Sequence, residues 1–283
     1  MMAARLPPQI IDPVDFKEHI NLMVFGPTGC GKTILGAQAP KILILAVEPG
    51  VVSAVKWMKK NRPGRKDFKI WEVNTLDDLV EAYEYLRDSL DEGTCPFEWV
   101  MVDTATKTQY RLWRAIMTKL VADHPHRDED VPDRGEHFKM QLKMKRLVSD
   151  FNELPINVIW TAQPMNADLE GEDEERVIPL IEGKDGAISA AIAADMDVVM
   201  YMRRMKIKPK GGGSAKLIRR LYTEHHIYWC KDRFDVLPTT LDDADFNKDI
   251  IEPIRNAEEK PTPVRKRAAK KTVKKTARTR RAS

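Results

Sequence analysis

The chain has 283 residues, of which 42% are hydrophobic and 32% charged, with a formal net charge of +4. That length allows one large domain or two small ones, and the apolar share is enough for a sizeable core. No uninterrupted apolar run reaches the ~18–20 residues of a bilayer span, which argues against a membrane partner. Residues 1–8 lack the apolar stretch of a secretory signal. Cys30, Cys95 and Cys230 are widely spaced and odd in number, so neither a disulfide framework nor a Cys-rich zinc site is expected. The expected setting is soluble, reducing and cytoplasmic.

The charge is split along the chain. From Lys260 to Ser283 there are 11 Lys and Arg residues and no acid, which leaves residues 1–259 at −7. An acidic body and a strongly basic tail are therefore distinct parts.

Residues 1–19 hold Pro7, Pro8 and Pro13 and read as an irregular lead-in. Ile20–Phe25 is a short apolar run that suits a buried strand. Gly26–Thr33 is Gly-rich, and Ile34–Ala39 continues as a helix. Lys41–Val47 is a second buried strand, stopped by Pro49-Gly50. Val51–Asn61 reads as a helix and Phe68–Val73 as a third strand. Asn74 or Thr75 caps the next helix, with Asp77 and Asp78 in its first turn. A fourth strand at Phe97–Val102, helices over 105–122 and 134–153, and a fifth strand at Ile156–Ala162 come next. This alternation predicts an α/β fold, a mostly parallel central sheet with helices on both faces. The pattern then changes. Gln163–Gly186 reads as a polar loop. Met196–Arg204 and Lys216–Thr223 read as a C-terminal β-hairpin around a Gly-rich tip. His226–Cys230 is a candidate last strand, and 245–259 a short closing helix. The domain expectation is a core over 20–255 and a disordered basic tail over 256–283.

Gly26-Pro27-Thr28-Gly29-Cys30-Gly31-Lys32-Thr33 fits G-x-x-x-x-G-K-[ST] in full. In such a loop successive backbone N–H groups curl around phosphate oxygens, and the following helix adds its positive end. Lys32 would reach the β- and γ-phosphates, and the Thr33 hydroxyl would ligate Mg²⁺. Cys30 is either a small filler in this loop or, beside Lys32 and a helix N-terminus, a thiol of lowered pKa. The first is preferred.

Trp99-Val-Met-Val-Asp103 is an apolar strand ending in a carboxylate, which a Mg²⁺ site needs close to the phosphates. In many ATPases with an inserted central strand a Glu follows this Asp and polarises the attacking water; here Thr104 stands there. Glu48, at the end of the second strand, is the candidate base, against a plainer reading as a helix-start carboxylate. Gln163 ends the fifth strand, where an amide can sense the γ-phosphate; alone it would be an ordinary strand-end residue.

These elements in this order resemble the RecA-like P-loop ATPase core, and most nearly the small phage-encoded, Sak-type single-strand annealing ATPases. The resemblance covers roughly residues 20–240. It implies an ATPase that uses ATP and Mg²⁺, binds single-stranded DNA, and supports recombination or annealing in a host cytoplasm, with a single-strand-binding protein as a further partner. It also implies that Lys231 and Arg233, in Tyr228–Pro238, point into a neighbouring copy's ATP site as an arginine finger does, so that the protein works as a homo-oligomeric ring or filament. The plainer reading of that run is a solvated strand end. The segment after Gln163 sits where such proteins carry a DNA-binding loop, but Glu170, Glu172, Asp173, Glu174 and Glu175 make it acidic. Lys206, Lys208, Lys210 and Lys216 around the hairpin tip either grip phosphates or keep an edge strand soluble. The basic tail lacks aromatic residues, so it would bind nucleic acid by charge and not by stacking. Two other readings stay open: a nucleotide-switched binding module with negligible hydrolysis, and a ring helicase or packaging motor.

Overall fold

The computed structural model describes residues 19–168, 175–183, 186–208 and 214–258. The lead-in over 1–18, the acids Glu170 to Glu174, the hairpin tip at 209–213 and the basic tail lie outside the described residues. The first half matches the apolar runs closely. In chain order it holds β1 (Asn21–Phe25), α1 (Lys32–Gly36), β2 (Ile42–Ala46), α2 (Val51–Asn61), β3 (Phe68–Glu72), α3 (Leu76–Asp91), β4 (Trp99–Asp103), α4 (Ala105–Asp123), α5 (Arg134–Asn152) and β5 (Asn157–Ala162). Thr75 caps α3 in a reciprocal capping box with Asp78.

The second half departs from the sequence reading. The stretch after Gln163 is not simply a loop: β6 (Pro164–Ala167) and β7 (Arg176–Pro179) pair antiparallel. A helix, α6 (Ala187–Asp195), comes next and leads into β8 (Val198–Ile207) and β9 (Lys216–Tyr222). His226–Cys230 is not a strand; Tyr228 makes an isolated bridge to Val177, and the short β10 (Lys231–Asp232) comes after it. Then come β11 (Thr240–Asp242), a π-helix (Phe246–Ile251) and α7 (Glu252–Glu258).

Among the described residues, nine strands form one sheet in the order β11-β9-β8-β1-β5-β4-β2-β3, with β10 paired on the start of β8. From β8 across to β3 every neighbour is parallel. The hairpin β8–β9 and then β11 extend it antiparallel. Strands β1, β2, β4 and β5 are buried nearly throughout, which is why they are apolar without alternation. Leu79, Leu86, Ile116, Met144 and Phe151 from α3, α4 and α5 cover one face. Leu35, Ala54, Met58, Phe246 and Ile254 from α1, α2 and the C-terminal helices cover the other. No described helix is long and apolar enough to cross a membrane.

Candidate active site

In a parallel sheet the carboxyl ends of the strands lie along one edge, and ligands bind there. The register sets that edge: Ala46 stands beside Asp103, Val102 beside Trp160, and Phe25 beside Ala162. Strand β5 lies between β1 and β4, so the phosphate loop and Asp103 are separated by one inserted strand. Glu48, Asp103, Gln163 and the loop after Phe25 all leave this edge.

The loop runs from Gly26 to Thr33 between β1 and α1. Gly26 N–H donates to the Ala162 carbonyl at 3.2 Å, which fixes the loop's root on β5. Gly26, Gly29 and Gly31 have positive φ values of 155°, 76° and 113°, conformations that side chains rarely adopt. A Cβ on Gly29 would meet nothing within 4 Å, so the tip of the loop is open on that side. Lys32 is 8% exposed. Its ammonium donates to the Gly26 carbonyl at 2.7 Å and the Pro27 carbonyl at 3.1 Å, arching back over the loop.

Asp103 is fully buried. Its Oδ2 accepts from the Thr33 hydroxyl at 2.9 Å, and its Oδ1 accepts from the Thr161 hydroxyl. Burial raises the Asp103 carboxyl above the usual carboxylate range; the bonds from Thr161 and Thr33 and the charge of Lys32 oppose the rise. The hydroxyl of Thr33 and the carboxylate of Asp103 are the hard oxygen donors that Mg²⁺ takes, and Mg²⁺ commonly uses one or two protein oxygens with phosphate and water for the rest. The residues present therefore fit that ion. Thr161 escaped the sequence reading; the one signal was a hydroxyl inside an otherwise apolar run.

Glu48 is half-buried at the end of β2. A Cβ on Gly50 would stand 3.6 Å from Glu48 Oε1 and 4.0 Å from Asp103 Oδ2, so the two carboxylates face one small space. Burial and the neighbouring Asp103 raise the Glu48 carboxyl, while Lys32 and Lys107 lower it. A carboxylate held in this way is suited to accepting a proton. Thr104, where a Glu stands in many such ATPases, caps α4: its hydroxyl accepts from Lys107 N–H at 3.2 Å.

A family model described as AAA domain matches residues 18–234. The chain belongs to the AAA-domain family. It is a P-loop ATPase domain of the AAA type, with nucleotide binding as its shared property. No curated protein matches the chain.

Elsewhere in this AAA domain, Gln163 ties the sheet edge to the segment behind β7. Its N–H donates to the Thr106 hydroxyl at 3.1 Å, and Thr106 donates to the Leu180 carbonyl at 2.9 Å. Gln163 is thus beside the site through its backbone. Cys30 is buried, and burial raises its thiol despite nearby Lys32, which fits the filler reading. Lys231 and Arg233 are not brought to their own chain's loop. Lys231 donates to the Ala194 and Met196 carbonyls below α6, and Arg233 pairs with Asp197, whose carboxylate also accepts from Asn21 N–H. Asn21 starts β1 and Gly26 comes just past its end, five residues or roughly 16 Å further at ~3.3 Å per residue.

Proposed function

We propose that this AAA domain is a Mg²⁺-dependent ATPase that couples hydrolysis to single-stranded DNA in recombination or annealing. The observation that carries the ATPase part is the meeting of Lys32, Thr33, Asp103 and Glu48 at one sheet edge. In this reading Lys32 exchanges the Gly26 and Pro27 carbonyls for phosphate oxygens. Thr33 and Asp103 hold the metal ion, which when bound supplies positive charge against the developing charge on the phosphates. Glu48 orients water and accepts its proton, and positioning and charge complementarity supply most of the rate gain.

The DNA part rests on the basic tail, the lysines flanking the hairpin tip, and the resemblance to annealing ATPases of phage origin. That resemblance would also give Lys231 and Arg233 a role toward a neighbouring copy in a ring or filament. The test is steady-state ATP hydrolysis with and without single-stranded DNA, at low and moderate salt, beside Lys32→Ala. The expected result is turnover stimulated by single strands and absent in the variant. Turnover indifferent to DNA under both salts would remove the DNA part. ATP binding without any turnover would instead favour a nucleotide-switched binder, the reading that Thr104 as a helix cap supports.

A further inference from the structure

Strand β9 ends at Tyr222, and the turn after it brings a column of flat rings against β8. Tyr201 on β8 stacks on Tyr228, with ring centres 3.9 Å apart and planes 26° from parallel. Tyr228 stacks on His225 at 4.3 Å and 22°, and His225 on His226 at 4.5 Å and 20°. At the inner end Phe25, the residue before the phosphate loop, lies 5.1 Å from Tyr201. The column packs on the sheet face that carries α3, α4 and α5, away from α1 and α2. Its backbone is tied to β7: Val177 N–H donates to the Ile227 carbonyl, and Trp229 N–H to the Val177 carbonyl, both at 2.9 Å. His225 Nδ1 accepts from Ile227 N–H at 3.1 Å, which fixes that ring.

Two observations mark the outer end of this column as a ligand site. First, His226 is exposed. One face of its ring lies on His225, and no other ring among the described residues covers the second face. An ordered stack therefore ends on a flat surface in solvent, and one more flat ring would continue it. Second, an unneutralised cation stands beside the stack. Arg203 donates to the Tyr228 hydroxyl at 2.9 Å. It stands directly across from Arg220 in the β8–β9 pair, an arrangement of like charges that destabilises a sheet. Arg220 is neutralised by two bonds to Asp242, at 2.6 and 2.7 Å. Arg203 pairs with no carboxylate among the described residues, and a guanidinium has five donors in all.

An open π-face next to a free cation suits one unit of a single strand: the base continues the stack and the phosphate takes the charge. We propose that His226 stacks a base of single-stranded nucleic acid while Arg203 holds a phosphate of the same strand. Because the rings are already ordered, binding costs them little freedom. The inference rests on the DNA-binding reading above and adds what the basic tail lacks, a surface for bases.

The test is fluorescence anisotropy of the full chain, over a salt series, with a labelled single-stranded oligomer and with an abasic oligomer of the same length, which keeps the phosphates and has no bases. It is repeated with His226→Ala, His226→Phe and Arg203→Gln; circular dichroism checks that each folds. The wild type should bind the base-bearing oligomer about tenfold tighter than the abasic one. His226→Ala should erase most of that preference, leave abasic binding within about twofold and leave the salt dependence unchanged, while His226→Phe should keep the preference. Arg203→Gln can still donate to Tyr228, and it should lower the salt slope by about one phosphate contact on both oligomers. Equal wild-type affinity for the two oligomers, or a preference that survives His226→Ala, overturns the stacking site and leaves charge-based DNA binding standing. A wild type that binds neither oligomer at low salt overturns the DNA reading, and the stacking site with it.

Discussion

Asp103 is subject to opposed demands. To serve as the proposed metal ligand it must be charged, yet it is fully buried and only two hydroxyls and a nearby ammonium offset the loss of water. Its native carboxyl is held above its unfolded value, so the native state takes up a proton first as pH falls. Stability from this group is present in acid and is lost as pH rises through the raised native value. Asp103→Asn removes that loss. The variant should melt above wild type at neutral pH, by about 2–4 °C for each kcal/mol relieved, and the gap should close on acidification while ATP turnover is lost. Thermal melts across pH check this; a gap that widens in acid contradicts it. Lys32, Thr33 and Asp103 were legible because each sits in a local pattern that the chemistry demands. Thr161 was not, because the carboxylate it serves is 58 residues away in sequence.

At the scale of elements, periodicity was informative where one strand followed one helix and weak where tertiary contacts decide. Helix α6, Ala-Ile-Ser-Ala-Ala-Ile-Ala-Ala-Asp, has apolar residues on all sides and so shows no amphipathic stripe. Strands β6 and β7 are four residues each, and one begins with proline. A helix far upstream holds this segment in place. Gln109 on α4 donates to the Glu182 carbonyl at 2.9 Å and accepts from Glu182 N–H at 2.8 Å, while the Ser189 hydroxyl donates to the Pro179 carbonyl and accepts from Ile181 N–H. Gln109→Ala should therefore cost about 1–3 kcal/mol, since it removes both hydrogen bonds that the partly buried Glu182 backbone makes to α4. Hydrogen exchange should quicken over residues 176–183 more than in β1 or β4. Unchanged exchange there would show that the segment stands without α4. The same contacts make Thr106 and Gln109 the route by which Gln163 and β7 share one support.

For the whole molecule, the two-faced sheet was readable because four strands buried on both sides leave an unbroken apolar record. The place of Lys231 and Arg233 was not, since it depends on β10 joining the start of β8. Charge acts at this scale too. Removing residues 260–283 takes away 11 cations and leaves a body of net charge −7. On the proposed DNA-binding reading, the truncated chain should lose most of the full chain's affinity for single-stranded DNA, and the remaining binding should depend less steeply on salt. Fluorescence anisotropy over a salt series reads both; undiminished affinity would place the DNA contact on the body.

Glu48, acting as the base, is what would make this sheet edge a catalyst. The most direct measurement is ATP turnover against pH for wild type and Glu48→Gln, with nucleotide affinity measured in parallel. Burial and Asp103 raise the Glu48 carboxyl, and the base works only when ionised. Wild-type turnover should thus climb as pH rises through a value above the ordinary carboxylate range, then level off. Glu48→Gln should keep nucleotide binding, lose about 10²–10⁴-fold in turnover and lose the acid limb. Unchanged turnover with the limb intact would contradict this role and move the base elsewhere.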